Sequence, residues 1–286
     1  MLYLLYNKNK MERKLVKQGR NALTVTLPAK WLKNKGLEAG DNVYISERSK
    51  DLLVSTQLTS AKKEIEMDLQ GRDRSVIYHA VQGKYIEGYD KITFIHDNPQ
   101  VAQEQVKSLL GMIVELHTPT KTVLKSIIAV PEDDFKALMQ RAAHILLQQA
   151  RTLQAMTEGK AKLKDVQNEE ELLDFNLLYC LRYLNKYETG KHCYKYFLLC
   201  STMEAGGDGI SEVAKFIGTD KQLAEKIVKG IEDYTKCLFT KDLQKTYTAL
   251  KAFRNKIGTK TFAEGLAYSL AETLYNYIGF LMDIKS

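Results

Sequence analysis

Apolar residues change their spacing twice along the chain, and the changes mark three regions. Over residues 11–58 the period is two: Leu23, Val25 and Leu27 alternate with Thr24 and Thr26, as in a half-buried strand. Pro28 then opens a short helix, PAKWLKNKG, where its missing N–H goes unneeded, and Gly36 closes it. Gly40-Asp41 turns the chain into the strand NVYISER, and Ser49-Lys50-Asp51 turns it again into Leu52–Ser55.

Between 61 and 129 the period switches repeatedly. KKEIEMDL reads as a strand, RDRSVIYHAVQGKYIEG as a helix ended by Gly88, and KITFIH as a strand. PQVAQEQVKSLLG is a helix with Pro99 at its start and Gly111 past its end, and IVELHTP with KTVLKSI forms a closing hairpin. A βαβαββ order predicts a small α/β layer with helices on one sheet face. His79, His96 and His117 share no spacing here and read as structural or surface residues.

From 131 to 286 the helical period dominates. Helices are expected near 132–157, 165–188, 191–217, 220–239, 241–257 and 260–284, with Gly159, Gly190, Gly218 and Gly258 between them. The acidic start PEDD suits a helix N-terminus. Short connections predict antiparallel neighbours in a bundle. The expected fold class is multidomain α+β: a small β head (11–58), an α/β middle layer (61–129) and a C-terminal antiparallel helical bundle (131–286).

Charge changes this picture by its placement. Residues 1–60 hold 11 Lys/Arg against 5 Asp/Glu, an excess of +6, and the rest of the chain carries only +1 of the +7 total. The basic excess belongs to the head, which points to nucleic acid, with an acidic protein surface as the alternative. Arg13, Lys14, Lys17 and Arg20 cluster on one strand and its turn, with Lys30 on the following helix. These cations would neutralise phosphates, and Asn21 and Gln18 supply amides for phosphate or base edges. A head this small cannot close a core alone and is expected to be completed by a second chain, with Trp31 in the dimer core.

The helical region offers two carboxylate pairs. Glu170 and Asp174, then Glu204 and Asp208, each lie four apart and so on one helical face. Oxygen donors of this kind suit a divalent cation or iron; two solvated helix faces are the plain alternative. Cys180, Cys193, Cys200 and Cys237 include no CxxC pair and read as buried thiols, and a His192/Cys193/Cys200 metal site is a weaker reading. No P-loop, GxGxxG or nucleophile–base set is present, so the chain is not expected to be an enzyme. No segment reads as a signal peptide or membrane span, and a cytoplasmic location is expected. Met1 and Met11 are both candidate starts.

Two resemblances add to this reading. RKLVKQGRNALTVTLPAKWL followed by GLEAGDNVYI resembles the AbrB/MazE-like (SpoVT-AbrB) family of swapped-hairpin DNA-binding domains. That implies a head in which two chains interleave into one β-barrel and present basic residues to double-stranded DNA. EELLDFNLLYCLRYL and MEAGGDGISEVAKFI resemble the second and third helices of the PhoU family, whose Glu-x-x-x-Asp metal motif falls on Glu170/Asp174 and Glu204/Asp208. The third-helix segment departs from the family in reading Ala205-Gly206 where Arg-Ile is usual. After Gly218 a second three-helix repeat looks shortened or diverged. The combination is similar to archaeal phosphate-uptake regulators. It implies a dimeric, DNA-binding regulator with a sensing bundle and, as a further partner, a phosphate transporter or sensor protein. The alternative is an accessory regulator that docks on such a partner without binding DNA.

Overall fold

A computed structural model describes residues 12–20, 22–48, 51–55, 62–128, 135–187, 193–238 and 243–282. The chain divides into two units, residues 1–61 and 62–286.

The described residues of the first unit form two hairpins and one helix. Strands β1 (Val16–Gln18) and β2 (Ala22–Thr24) pair antiparallel across a turn in which Gly19 takes φ 75°. Thr24 donates its hydroxyl to the Val16 carbonyl, 3.2 Å. Helix α1 (Ala29–Lys35) starts one residue after Pro28 and stops at Gly36, whose left-handed backbone (φ 64°) is the conformation glycine adopts without strain. The Leu-Glu-Ala-Gly-Asp turn is closed by Asp41, which accepts the Glu38 N–H at 2.7 Å. Strands β3 (Tyr44–Arg48) and β4 (Asp51–Ser55) form the second hairpin. Among the described residues of this unit none is buried.

The second unit begins with a four-stranded sheet. Strands β5 (Glu64–Asp68) and β6 (Lys91–Ile95) run parallel, joined through helix α2 (Arg74–Ile86). Helix α3 (Pro99–Lys107) leads to the hairpin β7 (Met112–His117) and β8 (Lys121–Ser126), and the order is β5-β6-β8-β7. The βαβαββ expectation therefore matches the observed order. α3 ends earlier than the periodicity predicts, because Ser108–Gly111 leave the helix while Leu109 still fills the core. Ile92, Phe94 and Leu124 share one sheet face and join the core with Ile77, Val81 and Tyr85 of α2. The opposite face carries Lys121–Glu66, Lys91–Glu115 and Lys125–Glu115 ion pairs. Lys125 and Lys91 hold the Glu115 carboxyl down at a pKa of about 2.

Among the described residues six helices follow: α4 (Phe135–Thr157), α5 (Leu163–Tyr187), α6 (Cys193–Ala214), α7 (Lys221–Cys237), α8 (Leu243–Lys256) and α9 (Phe262–Met282). Five of them lie within the spans that the periodicity predicts, and α5 starts two residues earlier than the expected 165. α4, α5 and α6 pack mutually, as do α7, α8 and α9, and the triplets join through α4 with α7 and α6 with α9. The second triplet is shorter, with helices of 17, 14 and 21 residues against 23, 25 and 22. Local chemistry fixes the starts: Asp220 caps α7 through the Leu223 N–H, and Thr261 with Glu264 forms a capping box on α9.

One core runs through the sheet layer and the bundle. At their junction the buried Arg182 of α5 donates to the Tyr85 and Tyr89 carbonyls, both at 2.8 Å, and lies over the Tyr85 ring. Lys186, one turn further, pairs with Asp90. Cys180 and Cys200 are buried, Cys200 donates to Met139 Sδ at 3.6 Å, and the neighbouring Cys180 together with burial pushes the Cys200 thiol well above its ordinary pKa. Cys193 is partly buried and His192 lies outside the described residues.

Candidate functional site

The four carboxylates that helical spacing singles out come together between α5 and α6. Glu170 lies beside Asp208 and the Ser211 hydroxyl. Asp174 feels Asp208, Glu204, Glu170 and Glu171. Burial is the first cause of its shift and those like charges follow, lifting its pKa from 3.8 to about 7. Burial also leads in raising Glu170, Glu204 and Asp208. Glu204 and Asp208 still keep exposed area, so the cluster opens to solvent on its α6 side. No lysine or arginine among the described residues lies within ion-pair distance of these four carboxylates.

Glycines flanking Asp208 explain how α6 sits so close to its neighbours. A Cβ on Gly207 would lie 2.7 Å from Leu173 Cδ2 and 3.3 Å from Gln149 Oε1, and one on Gly209 would lie 3.2 Å from Leu270 Cδ1. Their low helix propensity is outweighed by this packing, and α6 runs unbroken through Gly206–Gly209. The close approach lets Gln149 of α4, fully buried, donate to the Gly207 carbonyl (2.9 Å) and to Ser211 Oγ (3.1 Å). Ser211 is thereby positioned to donate to Glu170. Gln149 and Ser211 are missed by a search for carboxylate spacing. Their signal is subtler: Gln149 is a polar residue in the apolar stripe Leu146, Ala150, Leu153, where a buried amide must find partners.

Two buried acceptors in this region, Asp174 Oδ1 and Gln149 Oε1, have no hydrogen-bond donor. A carboxylate set with no cation in ion-pair distance among the described residues, only the more distant Lys215 acting on Glu170, and with an orphaned carboxylate oxygen has the donor chemistry for a hard cation or iron. Among the described residues, no three Asp, Glu, His or Cys side chains converge in a ready-made coordination shell.

The basic residues of the head lie on the hairpin β1–β2 and on α1. Arg13 and Lys14 precede β1, Lys17 lies on it, Arg20 sits in the turn and Lys30 on α1, and all five are exposed. Asn21 lies outside the described residues. The apolar side chains of the same unit are also exposed: Leu15 64%, Leu23 62% and Ile45 64%, together with Val16, Val25 and Leu52.

His96 and His117, which share no sequence spacing, meet across the sheet. Their rings stack at 6.1 Å, and both bond the Thr122 hydroxyl at 2.9 Å. The register that sets His117 opposite Thr122 creates the pair. Burial and the nearby His117 push the His96 pKa down. His79 stays on the surface of α2 beside Tyr78.

No protein-family model, curated protein or solved structure matches this chain.

Proposed function

We propose that this protein is a homodimeric, DNA-binding regulator of phosphate uptake, with a swapped-hairpin head that reads double-stranded DNA and a PhoU-like bundle that senses through a bound cation. The reading is carried by one observation: the first unit has a basic, fully exposed hairpin and no buried residue of its own among those described. Six apolar side chains left half or more in water favour a second copy that covers them. Covering them is worth on the order of 1 kcal/mol each. Interleaving two hairpins into a closed barrel would also pair strands β1 to β4 beyond their present single partners and would double the cations presented to phosphate. The phosphate connection rests on the resemblance of the α5 and α6 segments to the PhoU family. The four-carboxylate cluster with its orphaned acceptors supports the sensing half.

Binding to duplex DNA, measured across a salt series, tests the output half. Wild type is expected to bind with a steep negative dependence of log K on log salt. Arg13→Ala with Arg20→Ala removes up to four phosphate contacts per dimer and flattens the slope by up to about 4. A dimer with no affinity for DNA at low salt would instead be an accessory regulator that docks on a transporter or sensor protein, and the proposal would fall.

A further inference from the structure

We infer that the end of the bundle remote from the sheet layer is a docking surface for an anionic lipid membrane, with Phe216 and Phe262 as its apolar wedge. The inference is independent of DNA binding and of the carboxylate cluster. Phe216 follows α6 and Phe262 opens α9, and their rings pack edge to face at 4.7 Å. Such a pair usually closes a core. Here Phe216 is 53% exposed and Phe262 65%, so each ring covers the other while both remain in water.

The surroundings are cationic. The connections 158–164, 215–222 and 256–264 meet at this end: Glu158 feels Lys221, and Phe216 touches Phe262. These three segments contain seven lysines, no arginine and three carboxylates. The carboxylates are engaged. Asp220 caps α7, Glu264 accepts the Lys260 and Thr261 N–H groups, and Glu158 pairs with Lys160. Lys221, Lys256 and Lys260, on the connections that carry the two rings, are exposed with no salt bridge among the described residues. Within these segments the excess is +4, reduced by the Lys164–Glu171 and Lys215–Glu212 pairs, in a region that is nearly neutral elsewhere.

Exposed phenylalanines carried on lysine-rich connections fit the interface of an anionic bilayer. Rings enter the boundary between headgroups and acyl chains while flexible ammonium groups stay with lipid phosphates. DNA phosphates alone would reward the lysines and leave the rings without a role. No helix among the described residues is long and apolar enough to cross a membrane, so the contact proposed is peripheral.

The test uses the full chain with vesicles of phosphatidylcholine, or of phosphatidylcholine and phosphatidylglycerol in equal parts. Trp31→Phe removes the only tryptophan, and Phe262→Trp then places a reporter in the wedge. Emission from position 262 is expected to shift to the blue and to be quenched by brominated lipid in the anionic vesicles only. Phe216→Ser with Phe262→Ser should lower co-sedimentation about tenfold or more. Arg13→Ala with Arg20→Ala in the head should leave the position-262 signal in place, which separates this surface from adventitious binding through the basic hairpin. Absence of a shift, or unchanged sedimentation of the serine variant, overturns the inference. So does a change in the mass of the lipid-free protein on serine substitution, which would show that the rings cover a second copy.

Discussion

Asp174→Asn turns the cluster between α5 and α6 into a measurable pH dependence. Asp174 titrates near pH 7 in the folded chain and near 3.8 otherwise. Its folded pKa is raised, so between these values the native state holds a proton that the unfolded state has released. Stability from this group is complete below about pH 4 and is lost as pH rises through 7. Three units at about 1.4 kcal/mol each set a ceiling near 4 kcal/mol. Charge shared with Glu170, Glu204 and Asp208 spreads the transition and lowers the share owed to Asp174 alone. Asparagine keeps the shape and cannot ionise. Urea unfolding from pH 5 to 8 in the presence of a chelator should show wild type and Asp174→Asn alike at pH 5. At pH 8 the variant should be more stable by about 2–4 kcal/mol. His96, whose lowered pKa gives the opposite slope, is common to both proteins and cancels in the difference. Adding a divalent cation at pH 8 should return about 2.7 kcal/mol to wild type at a hundred times its dissociation constant, and far less to the variant. A difference between the two proteins that stays flat across the pH range would refute the reasoning.

Two further outcomes follow from packing. Gly207→Ala forces Leu173 to move and should cost about 1–3 kcal/mol in thermal unfolding despite alanine's better helix propensity; a variant as stable as wild type would mean that α5 and α6 are not held this close. Arg182→Ala strips the Tyr85 and Tyr89 carbonyls of a donor and leaves Lys186 as the cation beside Asp90, so about 3–5 kcal/mol should be lost; a cost under 1 kcal/mol would show that the junction is not held by this side chain.

Periodicity made the six long helices legible because each buries one stripe, and the pattern Leu138, Ala142, Leu146, Leu153 of α4 needs no tertiary knowledge to be seen. The carboxylate pairs were legible for the same reason, since four residues make one helical turn. What stayed hidden depends on distant segments. Gln149 reaches Ser211 across 62 residues, and His96 meets His117 only because β8 inserts between β6 and β7. By local propensity Gly206 and Gly207 weaken a helix, and their value lies in side chains of α4, α5 and α9 that propensity cannot see. The early end of α3 has the same origin, with Leu109 drawn into the core at the expense of one more turn.

Helix α5 carries Glu170 and Asp174 at one stage and Arg182 and Lys186 two turns further on. The distance from Asp174 to Arg182 is about 12 Å along the axis. The residues that would answer to a cation and those that clasp the Tyr85–Asp90 corner are therefore mounted on a single shaft. A few degrees of roll in α5, enough to swing its carboxylates toward those of α6, would turn the guanidinium against the carbonyls it holds. Ion occupancy and the seating of the sheet layer would then be read from one angle.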